Sequence, residues 1–423
     1  MTGKLKRQRL LTMIFGAFAI FFTGYPHVWS IYQPYVMEQA GWSQGQASMC
    51  FYLALSTFVF GNIVGGRMQN HYKEKTIVWI GGGIFAAGIL ASALLIVPTP
   101  LPMYLTYGVM QGFGQGMIYT VILATVQRWF PDRTGFASGV VVTANGLCGF
   151  FLAPLSRKLL EAEGVQKTFL IVGAAITVSW ILCGIFFQAP DKSLVNAGGS
   201  AAKSGTPEVK QYTSGEMMRT KNFYLLLATM FFGLISYFMV SPVSQTYQID
   251  LGIPSAVAVS AVMLGSIVNA GARLVLPTLA DKVGRIVCIK GVLIVAVIAM
   301  GVLAVSRSLA VTVAVVLMYG CYGGIMGSFP SLTSSIFGMK HTGENYGFVM
   351  FGIVFATFGA PAISGLVSSK GYEMNVVFGI GAVFAVIAFV CLTLLGRNLV
   401  KEHAEKSAGV KNDTAQVSKP QAE

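Results

Sequence analysis

Long apolar stretches alternate with short polar ones along the whole chain. Each apolar stretch has about 20 residues or more, which is enough for a helix to cross the hydrocarbon core of a bilayer. The pattern predicts twelve such spans, at residues 10–33, 46–66, 76–97, 101–127, 135–156, 167–188, 223–247, 255–280, 286–305, 309–336, 345–369 and 373–396. We therefore expect an all-α membrane protein of twelve transmembrane helices, with both termini on the same side.

A polar stretch between spans six and seven divides the chain into two sets of six. Its Gly, Ser, Ala and Lys residues are typical of a linker, and Thr213 with Glu216 fits a capping box that would begin a short surface helix. Similar features recur in both sets at a nearly constant offset, for example Pro154 in span five and Pro361 in span eleven. Such duplication predicts two pseudo-symmetric six-helix bundles. The expected units are residues 1–188 and 223–396 for the bundles, 189–222 for the linker and 397–423 for a disordered tail.

The net charge of +13 comes from basic residues that cluster on one side of the expected membrane. If the N-terminus lies in the cytoplasm, all but six of the 29 Lys and Arg residues lie in the cytoplasm as well. The exceptions are Arg157, Lys158, Lys167, Arg307 and Lys370 on the outer side and Arg273 within the membrane. This distribution follows the positive-inside rule, so the charge indicates membrane orientation and not a nucleic-acid partner. Both termini are expected in the cytoplasm.

The chain offers few residues for metal binding or enzymatic catalysis. Its six cysteines stand singly, without the paired spacing of a metal or redox site, and the histidines in polar segments form no metal-binding pattern. No nucleophile and base converge within the predicted spans. We expect no metal, no cofactor and no enzymatic activity. A purely sensory role is also disfavoured, because the linker and the tail are too short to hold a signalling domain.

Arg273 is the one charged residue deep inside an apolar run, residues 256–280. An arginine at this depth costs about 2.5 to 3.5 kcal/mol on insertion scales, so it normally faces a polar cavity or an anionic partner. No carboxylate within the predicted spans can pair with it, which favours an anionic substrate. Its planar guanidinium can hold a carboxylate through two parallel hydrogen bonds. The alternative is a structural arginine, satisfied by carbonyl groups or by an amide side chain such as that of Asn269.

The segment DKVGR at residues 281–285, after span eight, resembles the cytoplasmic loop motif of the major facilitator superfamily. Its aspartate can bind a helix N-terminus and its cations can bind helix ends, which would hold the two bundles together on the cytoplasmic side. The equivalent loop of the first half places Asn70 opposite the aspartate and lacks the acid. The resemblance implies a cytoplasmic gate that contains Asp281, Lys282, Arg285 and Asn70.

Four further segments resemble the oxalate:formate antiporter family, which is related to the monocarboxylate transporters. They are residues 128–135 (RWFPDRTG), residues 214–217 (SGEM), Asn269 with Arg273, and residues 345–347 (NYG). The resemblance implies carboxylate transport by alternating access across a bacterial cytoplasmic membrane, by a chain that works as a monomer. It also implies that the arginine of span eight, Arg273, binds the substrate carboxylate.

Departures from that family bear on the substrate. The oxalate exchanger has a second cation, a lysine in span eleven, where this chain has Ile353. Two cations suit a dicarboxylate, whereas a single cation suits a monocarboxylate. Three aromatic positions of the family's binding cage are Asn145, Met326 and Met350 in this chain. The expected substrate site contains Arg273, Tyr119, Tyr322, Asn145, Asn269, Tyr32 and His27.

A residue for proton coupling is harder to assign. In the mammalian monocarboxylate transporters an aspartate precedes the arginine by one turn, but this chain has Asn269 there, which cannot carry the proton. His27 in span one can titrate near neutral pH, and it is the coupling candidate. The alternatives are a histidine that only forms a hydrogen bond in the core, the protonated substrate itself, or Arg273 paired with the substrate.

These features predict a secondary transporter of a small monocarboxylate such as formate, lactate or pyruvate, by proton symport or anion exchange. Two alternatives remain open. The same fold could exchange oxalate or another dicarboxylate, or it could export drugs or cations. Cation exporters commonly place acidic residues within the membrane, whereas the buried charge in this chain is positive.

Overall fold

All regular elements that the computed structural model describes, in residues 3–190 and 210–417, are helices. Eleven of the helices in these ranges are long and apolar enough to cross a membrane. The longest, Thr134–Phe186, has 53 residues and is interrupted at Gly164, where φ is 76° and ψ is 173°. Glycine adopts positive φ at little cost, so the chain turns there and this helix supplies spans five and six. The predicted all-α fold with twelve spans is thereby confirmed.

The first half of the chain contains six spans with two irregular stretches. Its α-helices are Gly3–Phe22, Trp29–Ala40, Gln44–Met68, Glu74–Ser92, Leu101–Met103, Gly112–Trp129 and Thr134–Phe186. A 3₁₀ turn at Tyr25–Val28 bends span one next to Pro26, and a π-helical stretch at Tyr104–Gln111 lies in span four. Span one therefore reaches Ala40, further than predicted, because the proline bends the helix without ending the span.

The second half has the same order of spans. Its α-helices are Ser214–Met218, Lys221–Val240, Ser244–Asp250, Ser255–Val283, Arg285–Val305, Ala310–Phe337, Thr342–Val349, Phe351–Ser369 and Met374–Val417. A 3₁₀ turn at Ser241–Val243 bends span seven. The turn at Tyr25–Val28, which contains Pro26, bends span one in the same way. The short surface helix begins as predicted, because Thr213 and Glu216 exchange capping hydrogen bonds at its start.

The predicted linker and tail are only partly within the described residues. Most of the linker lies outside them, as do residues 418–423. The last helix continues to Val417, past the predicted end of span twelve at residue 396 and into the stretch expected to be disordered. Residues 398–407 contain Leu, Ala, Glu and Lys, which favour helix, and they extend a helix that is already nucleated in the preceding span.

Small residues allow the spans to approach closely inside each half. A Cβ atom on Gly116 of span four would overlap the backbone of span two at Phe58, and one on Gly323 of span ten would overlap span eight at Asn269. Close contacts between small residues stabilise membrane helices, for which burial of apolar surface gives little driving force. The contact between Gly323 and Asn269 holds span eight against span ten, one helical turn before Arg273.

The two halves meet along spans two, five, eight, ten and eleven. Span five packs against spans eight and ten, and span two packs against span eleven. The halves are in contact on the side of the membrane where the N-terminal helix begins, which we call the terminal side. On the opposite side they diverge around a cavity.

Candidate functional site

A cavity of about 1300 Å³ lies between the halves, in the part of the membrane away from the terminal side. Spans one, two and five form one wall, and spans seven, eight, ten and eleven form the other. The cavity extends to Gln33 and Gln245, near the ends of their spans on the side opposite the termini. Its wall is largely apolar and aromatic, and among the described residues it contains one arginine, Arg273, one histidine, His27, and no Lys, Asp or Glu. Such a concave site with few polar groups is typical of small-molecule binding.

Arg273 is the deepest residue of span eight in the cavity wall, and it is 2% exposed. Its Nε donates to Asn269 Oδ1 at 2.9 Å, and its Nη1 donates to Asn145 Oδ1 at 2.8 Å and to the carbonyl oxygen of Val142 at 3.3 Å. Nη2 takes part in none of these bonds. No carboxylate of the described residues pairs with Arg273. The protein thus holds the guanidinium in place without neutralising its charge.

Two glycines make room for Arg273 between spans five and ten. A Cβ atom on Gly146 would lie 3.0 Å from Cδ of Arg273, and one on Gly327 would lie 2.6 Å from its carbonyl oxygen. Both approaches are closer than ordinary van der Waals contact at about 3.5 to 4.0 Å. The sequence does not single out these two positions, because glycine is frequent throughout the spans.

Three tyrosines form an aromatic wall beside the guanidinium. The ring of Tyr322 lies 5.3 Å from the guanidinium carbon of Arg273, within the range of a cation–π contact. Tyr237 stacks on Tyr322 with ring centroids 4.2 Å apart, and Tyr319 meets Tyr237 edge-on at 5.3 Å. The sequence predicts Tyr322 in the site but gives no signal for Tyr237, because an aromatic residue in an apolar span looks the same whether it faces a cavity or the core.

The structure brings most of the predicted site residues to the cavity wall. These residues are Arg273, Tyr322, Asn145, Asn269 and His27. The His27 ring is exposed to the cavity, and its centroid lies 6.3 Å from that of Phe51. Among the described residues the ring has no hydrogen-bond partner, so His27 is available to a bound molecule or to water.

Tyr119 and Tyr32 do not line the cavity, in contrast to the prediction. Tyr119 is 2% exposed and lies outside the cavity wall. Tyr32 lies inside the first half, where its hydroxyl group shares a 2.9 Å hydrogen bond with that of Ser156. The bend at Tyr25–Val28 explains the position of Tyr32, because it changes which face of span one looks toward the cavity.

Asp281 makes two of the contacts that close the terminal side. Its carboxylate accepts hydrogen bonds from the backbone N–H groups of Gly135 at 3.1 Å and Phe136 at 3.0 Å. These groups belong to the first turn of span five, where the helix dipole favours a negative charge. Arg285 donates to Asp281 at 3.2 Å and to Thr134 at 2.9 Å. The aspartate and the arginine of the DKVGR segment thus join span eight to span five.

Of the other two predicted gate residues, Asn70 forms a hydrogen bond between the halves and Lys282 does not. Asn70 Oδ1 lies 3.0 Å from His341 Nδ1, and this hydrogen bond joins the loop after span two to the loop before span eleven. Burial and the nearby charge of Lys340 lower the pKa of His341, so its ring is neutral at pH 7. Lys282 is exposed and forms no hydrogen bond or ion pair with the described residues, so the structure does not place it in the gate.

Arg67 and Glu344 form a further closing contact, which the sequence does not predict. Arg67 Nη2 lies 3.0 Å from Glu344 Oε1, and the Glu344 side chain is only 8% exposed. Beside this pair, Thr120 donates to the carbonyl oxygen of Gly343 at 2.9 Å. Arg67 and Glu344 are 277 positions apart, and no local pattern reveals a pair at such a separation.

Comparisons with known proteins agree with this architecture. Residues 12–358 match the Major Facilitator Superfamily. The chain is 26% identical over 378 residues to the oxalate:formate antiporter of Oxalobacter formigenes, and the match covers 88% of each protein. It is 28% identical over 230 residues to monocarboxylate transporter 11 of Homo sapiens, which covers 54% of this chain and 47% of that protein.

Solved structures share the fold at low sequence identity. The transporter FucP in its outward conformation matches with a TM-score of 0.71 at 13% identity, over 92% of this chain and 99% of that chain. The proton:xylose symporter XylE matches with a TM-score of 0.71 at 13% identity, over 91% of this chain and 95% of that chain. The fold and the predicted resemblance are confirmed. The chain belongs to the Major Facilitator Superfamily, and it is a membrane transporter and not an enzyme.

Proposed function

We propose that the chain is a secondary active transporter of a small monocarboxylate, and the environment of Arg273 is the observation that carries the proposal. The guanidinium lies in a cavity between the halves and has no carboxylate partner among the described residues. A buried cation of this kind is stabilised when an anionic ligand enters. A carboxylate fits best, since its two oxygens match the planar fork of the guanidinium.

A single carboxylate matches the charge of the cavity. Arg273 is its one permanent cation among the described lining residues. The resemblance to the oxalate exchanger implies that its second cation corresponds to Ile353 in this chain, which is apolar and 5% exposed. A second carboxylate would enter the membrane interior unpaired, at a cost on the order of several kcal/mol. The aromatic wall of Tyr237 and Tyr322 favours a substrate with a partly apolar body.

Oxalate exchange is the second candidate function. The relative from Oxalobacter formigenes is named an oxalate:formate antiporter, and it matches this chain over 88% of each protein. The charge argument favours the monocarboxylate, and direct competition between the two classes of anion decides between them.

Transport by alternating access would move two bundles, residues 1–188 and 223–396, about the site at Arg273, with residues 189–222 as the linker. In the described state the cavity side is open, and Asp281 and Glu344 hold the terminal side closed. The reverse arrangement would release the substrate on the terminal side. The excess of basic residues on that side supports a cytoplasmic location for it, in a bacterial inner membrane. One chain contains the whole cavity, which is consistent with a working monomer.

Uptake into proteoliposomes that contain the full chain tests the proposal. We expect saturable uptake of labelled formate, lactate or pyruvate, inhibited by unlabelled monocarboxylates and only weakly by oxalate. A series with and without a pH gradient, and with and without internal substrate, distinguishes proton symport from anion exchange. Inhibition by oxalate alone would favour the second candidate.

Substitution of Arg273 tests its role in the same assay. Arg273→Lys should lower kcat/KM by about tenfold or more, because the ammonium group keeps the charge but loses the planar fork. Arg273→Ala should abolish saturable uptake. Arg307→Lys is the control, because Arg307 lies on the surface with its side chain 70% exposed. Normal uptake by Arg273→Ala would show that the carboxylate binds elsewhere.

A further inference from the structure

A row of buried polar side chains leads from Arg273 into the first half, and the proposed transport role does not by itself account for it. Asn145 is followed by Thr23 at the break in span one, then by Gln115 and Gln111 in span four. All of these side chains are buried. Polar groups inside a membrane protein are costly unless they are hydrogen-bonded, and each one here bonds to the next.

The direction of the hydrogen bonds is fixed by Thr23. A threonine hydroxyl has one proton, and Thr23 donates it to the carbonyl oxygen of Ile20 at 2.6 Å. Thr23 Oγ1 can therefore only accept from Asn145, whose Nδ2 lies 3.0 Å away. The carboxamide of Asn145 must then turn Oδ1 toward Arg273 Nη1, at 2.8 Å. The flipped amide would bring its N–H groups against the guanidinium, where two donors face each other.

Gln115 fixes the backbone of Thr23 at the break in span one. The residue that would close a 3₁₀ turn onto the carbonyl of Thr23 is Pro26, and proline has no N–H group. Gln115 Nε2 donates to this carbonyl at 2.7 Å instead. Gln111 Nε2 donates in turn to Gln115 Oε1, which defines the orientation of the Gln115 amide.

We propose that Thr23 and Gln115 are positioning residues for Arg273, an inference that rests on the proposed carboxylate site. They fix Asn145 with its oxygen toward the guanidinium, so that Arg273 meets the substrate in a preset orientation. The amide oxygen of Asn145, the negative end of its dipole, is thereby held against the cation. Donors that are ordered before binding hold a ligand more tightly than donors that must be ordered by it.

Three threonine variants in the full chain separate positioning from general packing. Thr23→Val keeps the shape but removes the oxygen that accepts from Asn145, whereas Thr23→Ser keeps the hydroxyl. Thr229→Val is the matched control, since buried Thr229 donates to the carbonyl of Leu225 at 2.6 Å and its hydroxyl forms no bond to another span. We expect Thr23→Val to raise the KM for monocarboxylate uptake by about fivefold, the effect of losing one hydrogen bond between neutral groups. Thr23→Ser and Thr229→Val should keep the wild-type KM.

The variant Gln115→Leu is a second test of the positioning role. It removes the donor to the carbonyl of Thr23 without touching Asn145 or Arg273, and it should also raise KM more than it lowers kcat. In an Asn145→Ala background, Thr23→Val should add no further rise in KM, because the two residues act through one bond. Additive effects in that double variant, or an effect on kcat alone, would show that Thr23 serves only packing.

Chemical labelling of Arg273 tests the row without a transported substrate. Phenylglyoxal modification followed by mass spectrometry reports how freely the Arg273 guanidinium moves, and exposed Arg307 is the internal reference. Labelling of Arg273 should be several-fold faster in Thr23→Val than in wild type, Thr23→Ser or Thr229→Val. Equal rates in all four proteins would overturn the positioning role. Faster labelling in Thr23→Val, in a protein that takes up no monocarboxylate, would support the positioning role and reject the proposed function.

Discussion

The environment of Arg273 combines deep burial with a charge that no acid of the described residues neutralises. Oxygens of Asn269, Asn145 and Val142 accept its hydrogen bonds. An internal carboxylate would bind the guanidinium more strongly than an amide oxygen does, and the substrate would have to displace it. Neutral oxygens keep the side chain ordered and leave the charge to attract an external anion.

His27 provides a prediction about proton coupling. It lines the same cavity as Arg273, and its ring has no hydrogen-bond partner among the described residues. His27→Gln keeps a hydrogen-bonding side chain but cannot titrate near neutral pH. We expect uptake by this variant to lose its stimulation by external acid, while exchange of labelled for unlabelled substrate at equal pH continues. Uptake rates measured at several external pH values, with the internal pH held constant, check this.

The control for this experiment is His71→Gln, since His71 is an exposed histidine on the terminal side. It should keep the wild-type response to pH. Acid stimulation that survives in His27→Gln would mean that the proton travels with the substrate or through the Arg273 site.

At the residue scale, the sequence predicts a side chain when its chemistry is unusual for its surroundings. Arg273 stands out because a cation inside an apolar run is costly. Tyr237 and Thr23 do not stand out, since tyrosine and threonine are common in spans. Their roles depend on which face of the helix meets the cavity, and the bend at Tyr25–Val28 sets that face for span one. The same bend accounts for the position of Tyr32 outside the cavity wall.

At the scale of helices and loops, the terminal side is closed by two carboxylates of the second half that bind different donors of the first half. Asp281 binds free N–H groups at the start of span five, and a Cβ atom on Gly135 would lie 2.7 Å from both carboxylate oxygens. This approach therefore requires glycine. Glu344 binds Arg67 at the end of span two. The loop after span two has Asn70 where the second half has Asp281. Glu344, at the start of span eleven, supplies a carboxylate next to this loop.

Weakening these contacts should shift the molecule away from the state with an open cavity. The double variant Asp281→Asn with Glu344→Gln replaces both charge-assisted contacts with neutral ones, which are roughly half as strong. A cysteine reporter in the cavity wall, Ser266→Cys, should then react more slowly with a water-soluble thiol reagent, because fewer molecules expose the cavity.

The control for the gate is Glu161→Gln. This change removes an exposed ion pair with Arg157, whose partners are 57% and 73% exposed, and it should leave the reporter's reaction rate unchanged. A reporter that reacts equally fast with and without the gate substitutions would mean that Asp281 and Glu344 do not hold the cavity open.

The positions of the transmembrane helices could largely be predicted from the sequence, because a bilayer requires about 20 apolar residues for each crossing. The bends in spans one and seven could not, although Pro26 and Pro242 lie at them. Proline is tolerated in membrane helices where neighbouring groups satisfy the freed carbonyls, so its presence does not show whether a span bends or ends. In span one the neighbouring group is Gln115, which only the folded structure brings to that position.

At the scale of the whole molecule, the proposed carboxylate site lies between the two halves. The hydrogen bond from Arg273 to Asn145 crosses between the halves at the deep end of the cavity. The closing contacts of Asp281 and Glu344 lie beyond it on the terminal side. A substrate bound at Arg273 would therefore touch both bundles, which is the condition for coupling its binding to their relative movement.

Orientation in the membrane is a prediction for the whole molecule, since the positive-inside rule favours a cytoplasmic terminal side. Ser30 is exposed in the cavity, so Ser30→Cys should react with a membrane-impermeant thiol reagent added to intact cells, and saturating substrate should slow this reaction. Lys282→Cys, exposed on the terminal side, should react only after the cells are permeabilised. The chain's own cysteines are buried or half-buried, which keeps the background low. The opposite pattern, with Lys282→Cys reactive in intact cells and Ser30→Cys protected, would place the termini outside.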